Sequence, residues 1–434
     1  MTDLILVSPK LSKYRPSWVA PPLGLLSIAG VLRHAGYSVE VIDLNLPEVG
    51  TDTIIAASGP GTVIGISSFT PNFSAALETA VAVKRGVSGV VIIVGGYHVT
   101  FCYAEALTPG SPFDAAVLGA GEDPTLRIVE SVKTGKSLDG IPGVAFRRNG
   151  AIEITLPEPP TPHPGVYPAR DLVDLPTYLR MGSGFAGSVQ FSRGCTHNCY
   201  FCQVPKMEGR WVPREPQDVA AEVREFVQST GLTNLTFVDN HLTGDKELVR
   251  ELCWLLKEIP GLHWSCDARI DAVDEGLLAL MYEAGCRGLF IGLESGNSAS
   301  LERIGKPPDR EFVRRQVATI RRVGLQANGS FIVGFPWETE ADIRQTISFA
   351  ADLPLSWREF SFATPLPGSR LERDLSRWGA EIADSDYRHW DGQHAVMRLP
   401  NLSRRRLAEL YLEAIATVCD KPAPDSGKVV TAHD

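Results

Sequence analysis

The chain has 434 residues, of which 44% are hydrophobic and 21% are charged, so it is long enough to form two or three domains. Its formal net charge of -9 argues against nucleic acid or an anionic membrane as a partner, because both would repel it. No apolar run approaches the roughly 18 residues that span a bilayer, and the first residues do not form a signal peptide. We therefore expect a cytoplasmic protein that would attract cationic small molecules.

Short apolar runs alternate with helical segments in the first 150 residues, which is typical of a parallel sheet covered on both faces. The sequence therefore predicts an α/β domain with a doubly wound, flavodoxin-like sheet. The predicted strands are residues 4–7, 39–43, 63–67, 90–94 and 113–118, and the predicted helices are residues 23–34, 72–84 and a segment that begins near Asp123.

Small residues follow several of these strands. Doubly wound sheets bind ligands beyond the carboxyl ends of their strands, and glycine there lets a large ligand approach the backbone. For any single glycine, a simple turn is an equally good explanation. No G-x-G-x-x-G motif follows the first strand, which disfavours a dinucleotide. The candidate ligand-binding residues are Ser67, Ser68, Gly95, Gly96 and Gly119.

Residues 151–186 contain seven prolines and no sustained periodicity, which predicts an extended linker. The domains are accordingly predicted as residues 1–150, this linker, residues 187–371 and residues 372–434.

The eight cysteines are unevenly spaced, and Cys195, Cys199 and Cys202 lie close together. This pattern fits a metal site better than a disulfide framework. The other five, which we interpret as buried small hydrophobes, are Cys102, Cys253, Cys266, Cys286 and Cys419.

The three clustered cysteines lie in RGCTHNCYFCQVP, after a strand predicted at residues 188–191. Thiolates are the ligands that iron-sulfur clusters use, and three of them can hold three irons of a cubane while the fourth stays open. Zinc is the alternative, but a structural zinc site normally has four protein ligands. His197 is either a substitute ligand or a solvated loop residue.

Strands continue to alternate with helices after this loop, at residues 235–238, 263–267, 288–291, 330–333 and 359–362. Together with residues 188–191 they predict six β/α units, a partial (β/α)6 barrel of the TIM type. Functional residues of such barrels gather at the carboxyl ends of the strands. The residues predicted there include Asp239, Arg269, Glu294, Ser295 and Gly334.

The C-x-x-x-C-x-x-C motif, with Tyr200 and Phe201 before its last cysteine, resembles that of the radical S-adenosylmethionine (SAM) superfamily. FVDNHLTGD, WSCDARIDAV, GLFIGLESGN, GSFIVGFPWETEADI and TPLPGSRL resemble its later segments. The resemblance implies a [4Fe-4S] cluster on the three cysteines that cleaves SAM to a 5′-deoxyadenosyl radical. It also implies an external electron donor such as flavodoxin or ferredoxin.

The same resemblance suggests roles for individual residues. Arg269 and Glu294 are the best candidates for polar contacts to SAM, although they could instead pair with each other at the barrel mouth. Gly334 would allow close approach of the adenine, with Phe201 beside it, and Asp239 and Ser295 would lie at the same cofactor site. Tyr200 is a candidate catalytic acid or base.

Three segments of the first domain, PPLGLLSIAGVLRHAGYSVEVIDLN, VGGYHVTFCYAEAL and AAVLGAGEDPTLRIVE, resemble the cobalamin-binding domain of one large radical SAM subclass. The D-x-H-x-x-G motif is absent, so His98 is not a candidate cobalt ligand. Some relatives keep this fold without the cofactor, so cobalamin is a possible cofactor and not a certain one.

The last sixty residues are predicted to form a small helical region. LSRRRLAELYLEAIATV has the spacing of a docked amphipathic helix, and PAPDSGKVVTAHD is predicted to be a disordered tail. Polar and aromatic residues before this helix could cap a substrate cavity, or form a surface helix or a dimer contact. They are Tyr387, His389, Trp390, Asp391 and His394.

Two reactions on a natural-product intermediate, such as one in antibiotic biosynthesis, remain open. With cobalamin bound, the resemblance implies a C-methyltransferase that consumes two SAM molecules. Without it, the resemblance allows a diol dehydratase or deoxygenase of an aminoglycoside-like sugar. A corrinoid or metal sensor is the non-catalytic alternative. Carboxylates that could face a cationic substrate are Glu208, Asp239, Glu338 and Asp391, and Tyr387 is a second candidate acid.

Overall fold

The computed structural model describes residues 2–11, 19–160 and 162–419, without the side chains of residues 418 and 419. Residues 1–186 and 187–434 form two separate units. The tail predicted to be disordered, residues 422–434, lies outside the described residues. None of the helices in the described ranges is long and apolar enough to cross a membrane.

The first unit contains a seven-stranded sheet with helices between its strands. Its strands are β1 (Leu4–Ser8), β2 (Val39–Asp43), β3 (Val63–Ser67), β4 (Val91–Gly95), β5 (Ala115–Val117), β6 (Val144–Arg148) and β7 (Ala151–Thr155). Its helices are α1 (Leu23–His34), α2 (Thr51–Ala57), α3 (Phe73–Gly86), α4 (Tyr97–Ala106), α5 (Glu122–Thr134) and α6 (Leu175–Arg180).

The strand order β2-β1-β3-β4-β5 is the flavodoxin-like order, and these five strands are parallel. Strands β1, β3 and β4 are almost continuous runs of aliphatic residues, because helices cover both faces of the sheet. The predicted doubly wound domain is therefore confirmed.

The prediction of an extended linker at residues 151–186 is wrong for two segments. β7 pairs with β6 in an antiparallel hairpin, whose Asn149-Gly150 turn has φ values of 50° and 85°. Asn-Gly is the typical dipeptide of such a two-residue turn, so a hairpin signal was present in the sequence.

α6 is also folded, and the buried Tyr178 hydroxyl donates a hydrogen bond to Asp43 at 2.7 Å. The high proline content of this segment favoured the prediction of a linker over that of a strand and a helix.

The second unit is built around a six-stranded parallel sheet, in the order β15-β14-β13-β12-β11-β8. Its strands are β8 (Ser188–Val189), β9 (Ser192–Arg193), β10 (Val212–Pro213), β11 (Asn234–Phe237), β12 (His263–Ala268), β13 (Cys286–Glu294), β14 (Gln326–Val333), β15 (Trp357–Phe362), β16 (Glu381–Ile382) and β17 (Met397–Arg398). Its helices are α7 (Val204–Met207), α8 (Pro216–Thr230), α9 (Lys246–Leu256), α10 (Glu275–Glu283), α11 (Ser298–Ile304), α12 (Arg310–Val323), α13 (Glu340–Asp352), α14 (Arg370–Arg373) and α15 (Arg404–Cys419).

This sequential parallel order, with helices between the strands, confirms the predicted partial barrel. Alternate strand residues pack outward against the helices, and the residues between them face the interior, which we call the lumen. α15 is the predicted amphipathic helix, and Leu407, Leu410 and Ala414 are buried along it while Leu412 is exposed.

Candidate active site

The three clustered cysteines lie on the loop between β9 and α7, beyond the carboxyl end of β8. The backbone N–H groups of His197 and Val204 donate to the sulfurs of Cys195 and Cys202. Burial raises the pKa of the Cys195 thiol and raises that of Cys202 to about 12. Because burial disfavours bare thiolates, ionisation of these residues requires compensating positive charge, such as that of a metal.

The number and type of the ligands distinguish between two kinds of metal site. A structural zinc ion normally has four protein ligands. Three cysteine thiols on one loop fit a [4Fe-4S] cluster with one iron free of protein ligands.

Asp239 fixes the chain that leads into the cysteine loop. Its completely buried carboxylate accepts hydrogen bonds from the backbone N–H groups of Phe191, at 3.0 Å, and Ser192, and from the Ser192 hydroxyl at 2.6 Å. Glu208 similarly accepts from the Gly194 N–H at 2.8 Å and from Asn240 at 2.9 Å. Both carboxylates therefore position the loop, and the predicted contacts of Asp239 with the cofactor and of Glu208 with a substrate stay predictions.

Arg269 and Glu294 lie at the carboxyl ends of β12 and β13, as predicted, but they do not pair with each other. Arg269 donates two hydrogen bonds of 2.9 Å to Asp271, and its Nη1 lies 3.6 Å from the Cys199 sulfur. Glu294 pairs with Lys306 at 3.1 Å. The Glu294 backbone has a φ of 64°, rare outside glycine, beside an irregularity in the β13–β14 pairing. Such strain is typical of functional sites.

Lys306 is a site residue that the sequence reasoning missed. Its side chain is only 9% exposed, and its Nζ donates to the Gly292 carbonyl at 3.0 Å as well as pairing with Glu294. Its positive charge opposes the rise in the pKa of Cys195 and Cys202 that burial causes. The available signal was a single lysine directly after the glycine that ends α11. Lys306 and Arg269 therefore place two buried cations beside the three cysteines.

His241, directly after β11, is a second missed residue. It is 2% exposed, and its ring lies 5.4 Å from that of His197 in the cysteine loop. Burial lowers the pKa of His241 to about 4, so the imidazole is neutral at pH 7. Within the described ranges, neither its Nδ1 nor the Thr243 hydroxyl has a hydrogen-bond partner.

Gly334 lies at the end of β14, where its φ is 85°. This φ favours glycine, and a Cβ there would also lie 2.8 Å from the end of the Leu407 side chain on α15. Its N–H and that of Phe335 donate to Glu338, at 2.9 and 3.0 Å. Glu338 is completely buried, so it supports this turn and does not face a substrate as predicted. Phe201 lies next to Phe335, with ring centroids 6.1 Å apart.

Ser295 and Tyr200 are both occupied by protein contacts. The Ser295 hydroxyl lies 3.1 Å from that of Thr346 and accepts from the Asn297 N–H at 3.1 Å. The Tyr200 hydroxyl donates to Asp374 at 2.9 Å and accepts from Trp378 at 2.8 Å. Ser295 therefore supports the turn after β13, and a catalytic role for Tyr200 stays a prediction.

The candidate residues of the first unit share one edge of its sheet. Ser67 and Gly95 end β3 and β4, and Ser68, Gly96 and Gly119 follow β3, β4 and β5. A Cβ on Gly96, where φ is 109°, would lie 2.5 Å from the Ser68 carbonyl oxygen, so this turn needs glycine.

An aromatic surface adjoins this edge. Phe69 is 51% exposed and stacks on Tyr97, with ring centroids 5.9 Å apart. Compact turns next to an exposed aromatic ring fit a broad macrocycle such as cobalamin.

The C-terminal candidates form two histidine-carboxylate pairs. His389 lies 3.0 Å from Asp384, His394 lies 2.9 Å from Asp391, and the two rings stack with centroids 4.7 Å apart. Trp390 is buried and packs edge-on against Tyr387.

Two family models match the chain. The radical SAM superfamily model matches residues 189–350, and the B12 binding domain model matches residues 18–129. A methyltransferase of Pyrococcus horikoshii described as uncharacterized is 30% identical, over 93% of this chain and 88% of the relative. Cytidylyl-2-hydroxyethylphosphonate methyltransferase of Streptomyces wedmorensis is 27% identical, over 90% of this chain and 84% of the relative. The anaerobic magnesium-protoporphyrin IX monomethyl ester cyclase of Synechocystis is 26% identical, over 92% and 81%.

Solved structures share the fold. The radical SAM methyltransferase TsrM from Kitasatospora setae, with cobalamin and a [4Fe-4S] cluster bound, has a TM-score of 0.77 at 18% identity, over 96% of this chain and 89% of that chain. The cobalamin-dependent SAM radical enzyme OxsB has a TM-score of 0.71 at 16% identity, over 89% of this chain and 54% of that chain. With the three-cysteine loop and the flavodoxin-like first unit, these matches show that the chain belongs to the radical SAM superfamily, in the group with a B12-binding domain, and uses a [4Fe-4S] cluster, SAM and cobalamin.

Proposed function

We propose that this protein is a cobalamin-dependent radical SAM C-methyltransferase, which methylates an unactivated carbon of a small natural-product intermediate. One observation carries the proposal: a loop with three cluster-type cysteines and a B12-binding domain occur in the same chain. The names of the Pyrococcus and Streptomyces relatives support methyl transfer. They give no support to a dehydratase or a sensor.

Each unit has a separate task in this proposal. When bound, the cluster supplies the electron that cleaves SAM, and cobalamin supplies a carrier for the methyl group. Cys195, Cys199 and Cys202 would hold the cluster, while Arg269 and Lys306 would offset negative charge and attract the SAM carboxylate. The barrel lumen would exclude water from the radical. The edge of the first unit that carries Gly96 would hold cobalamin.

The reaction requires an external one-electron donor, such as flavodoxin or ferredoxin. Each methyl group transferred would consume two SAM molecules. One would donate the methyl group and leave S-adenosylhomocysteine, and the other would be cleaved to methionine and 5′-deoxyadenosine after hydrogen abstraction from the substrate.

Anaerobic reconstitution with iron, sulfide and hydroxocobalamin tests the proposal. We expect about four irons and one cobalt per chain after desalting. Labelled SAM should then yield both S-adenosylhomocysteine and 5′-deoxyadenosine after reduction. The Cys195→Ala/Cys199→Ala/Cys202→Ala variant should lose iron but keep cobalt, and Cys102→Ala is the control that should keep both. Iron binding without cobalt would contradict the methyltransferase proposal.

A further inference from the structure

Asp267 faces the barrel lumen. Along β12, Trp264, Cys266 and Ala268 are buried on the side where Trp264 donates to the Ala284 carbonyl at the end of α10. Side chains alternate along a strand, so Asp267 points to the opposite side. Its side chain is exposed to solvent, so a molecule that enters the lumen can reach it.

Glu359 faces the same lumen from β15. Phe360 stacks on Phe331, and Phe362 stacks on Tyr411 of α15, so these two rings point outward. Glu359 points inward, beside Ser330 in the β14–β15 register. β12 and β15 are three strand spacings apart, about 14 Å along a flat sheet. The curvature of a partial barrel turns the inner faces of β12 and β15 toward the same lumen, and the charge of Glu359 contributes to the raised pKa of Asp267.

Neither carboxylate has a hydrogen-bond or ion-pair partner within the described part of the chain. Burial raises the pKa of Asp267 to about 7, and the charges of Asp239 and Glu359 add to the rise. Burial also raises the pKa of Glu359. A cation that enters the lumen can therefore make charge-assisted hydrogen bonds with these carboxylates without displacing a protein partner.

Neutral groups line the wall between the two carboxylates. Phe290 and Asn328 follow Asp267 in register across β13 and β14, and Ser330 adjoins Glu359. The ring of Phe290, the amide of Asn328 and the hydroxyl of Ser330 can contact the uncharged part of a small polar molecule. They provide no positive charge of their own.

We propose that Asp267 and Glu359 bind a protonated amine of the substrate, so that the substrate is a small polar molecule with at least one ammonium group. This inference rests on the proposed function, because it takes the lumen to be the substrate chamber. Two opposed carboxylates would hold the amine by charge-assisted hydrogen bonds and fix the orientation of the carbon that reacts.

Calorimetric binding at pH 8 to the reconstituted holoenzyme tests the site without turnover. The probes are tyramine, spermidine and trans-1,4-diaminocyclohexane, each compared with its fully N-acetylated form, which carries no charge. We expect at least one amine to bind at least tenfold more tightly than its acetylated form. Asp267→Asn and Glu359→Gln should each remove that preference, while Glu225→Gln, an exposed change on α8, should keep it.

Iron content and circular dichroism establish that the variants are folded. If no amine binds better than its acetylated form, or if the preference survives in both variants, the inference is wrong. Amine binding that depends on these carboxylates in an enzyme without methyl transfer would overturn only the proposed function. Methyl transfer in an enzyme without this binding would overturn only the amine site.

Discussion

The mouth of the barrel, at the carboxyl ends of its strands, and the lumen differ in whether their charged side chains have partners. At the mouth, Arg269 and Lys306 are buried beside the cysteines, and each is paired with a carboxylate. In the lumen, Asp267 and Glu359 have no partner among the described residues. A paired charge already has its counter-ion, whereas a carboxylate without a protein partner can bind a cation. The comparison indicates that the mouth is pre-organised for anionic groups and that the lumen can bind a cation.

The largest effect should come from the cysteine loop, because we propose that its three cysteines hold the cluster. Cys199→Ala should abolish formation of 5′-deoxyadenosine and lower the iron content. Anaerobic reconstitution followed by metal analysis and product chromatography measures both. Cys253→Ala, a buried cysteine of α9 outside the loop, is the control and should retain iron. Full iron retention in Cys199→Ala would contradict the assignment.

Loss of a paired charge at the mouth should be the next largest effect. Lys306→Met leaves Glu294 buried without its cation, which should lower the free energy of unfolding by about 3–5 kcal/mol. Adding Glu294→Gln should restore much of this loss, because the unpaired charge disappears. Urea unfolding of the single and double variants measures the difference. Equal stability of the two variants would show that the pair is not coupled.

Asp239→Asn should have a smaller effect. The amide keeps one acceptor but loses part of the hydrogen bonding to Phe191 and Ser192, so about 1–3 kcal/mol of stability should be lost. Because these contacts position the cysteine loop, the variant should also lose iron faster to a chelator. Glu225→Gln, which makes the equivalent change on the exposed face of α8, should release iron at the wild-type rate.

Features whose signal lies within a short stretch of sequence could be predicted, whereas features that depend on how distant segments meet could not. The cysteine spacing and the alternation of strands with helices are local patterns, so the cluster loop and both sheets could be predicted. The partners of Arg269 and Glu294 depend on how separate strand ends meet, and the sequence did not reveal that Asp271 and Lys306 would take them. The inward orientation of Glu359 likewise depends on the closure of the sheet.

The lumen carboxylates predict a stability that changes with pH, although by less than the effects above. The pKa of Asp267 is raised from 3.8 to about 7 by burial first and then by neighbouring carboxylates, so the folded state holds the proton more tightly than the unfolded chain. Stability from this group is therefore fully present below about pH 4 and is lost as the pH rises to about 7. Asp267→Asn removes the penalty of ionisation, which solvent reduces at this exposed side chain, so it should raise the melting temperature of the ligand-free protein slightly at pH 8 and by less at pH 5. Thermal unfolding of the variant beside Glu225→Gln at both values measures this. A lower melting temperature at pH 8 would mean that Asp267 has a stabilising partner in the folded protein, and the contrast between mouth and lumen would then fail.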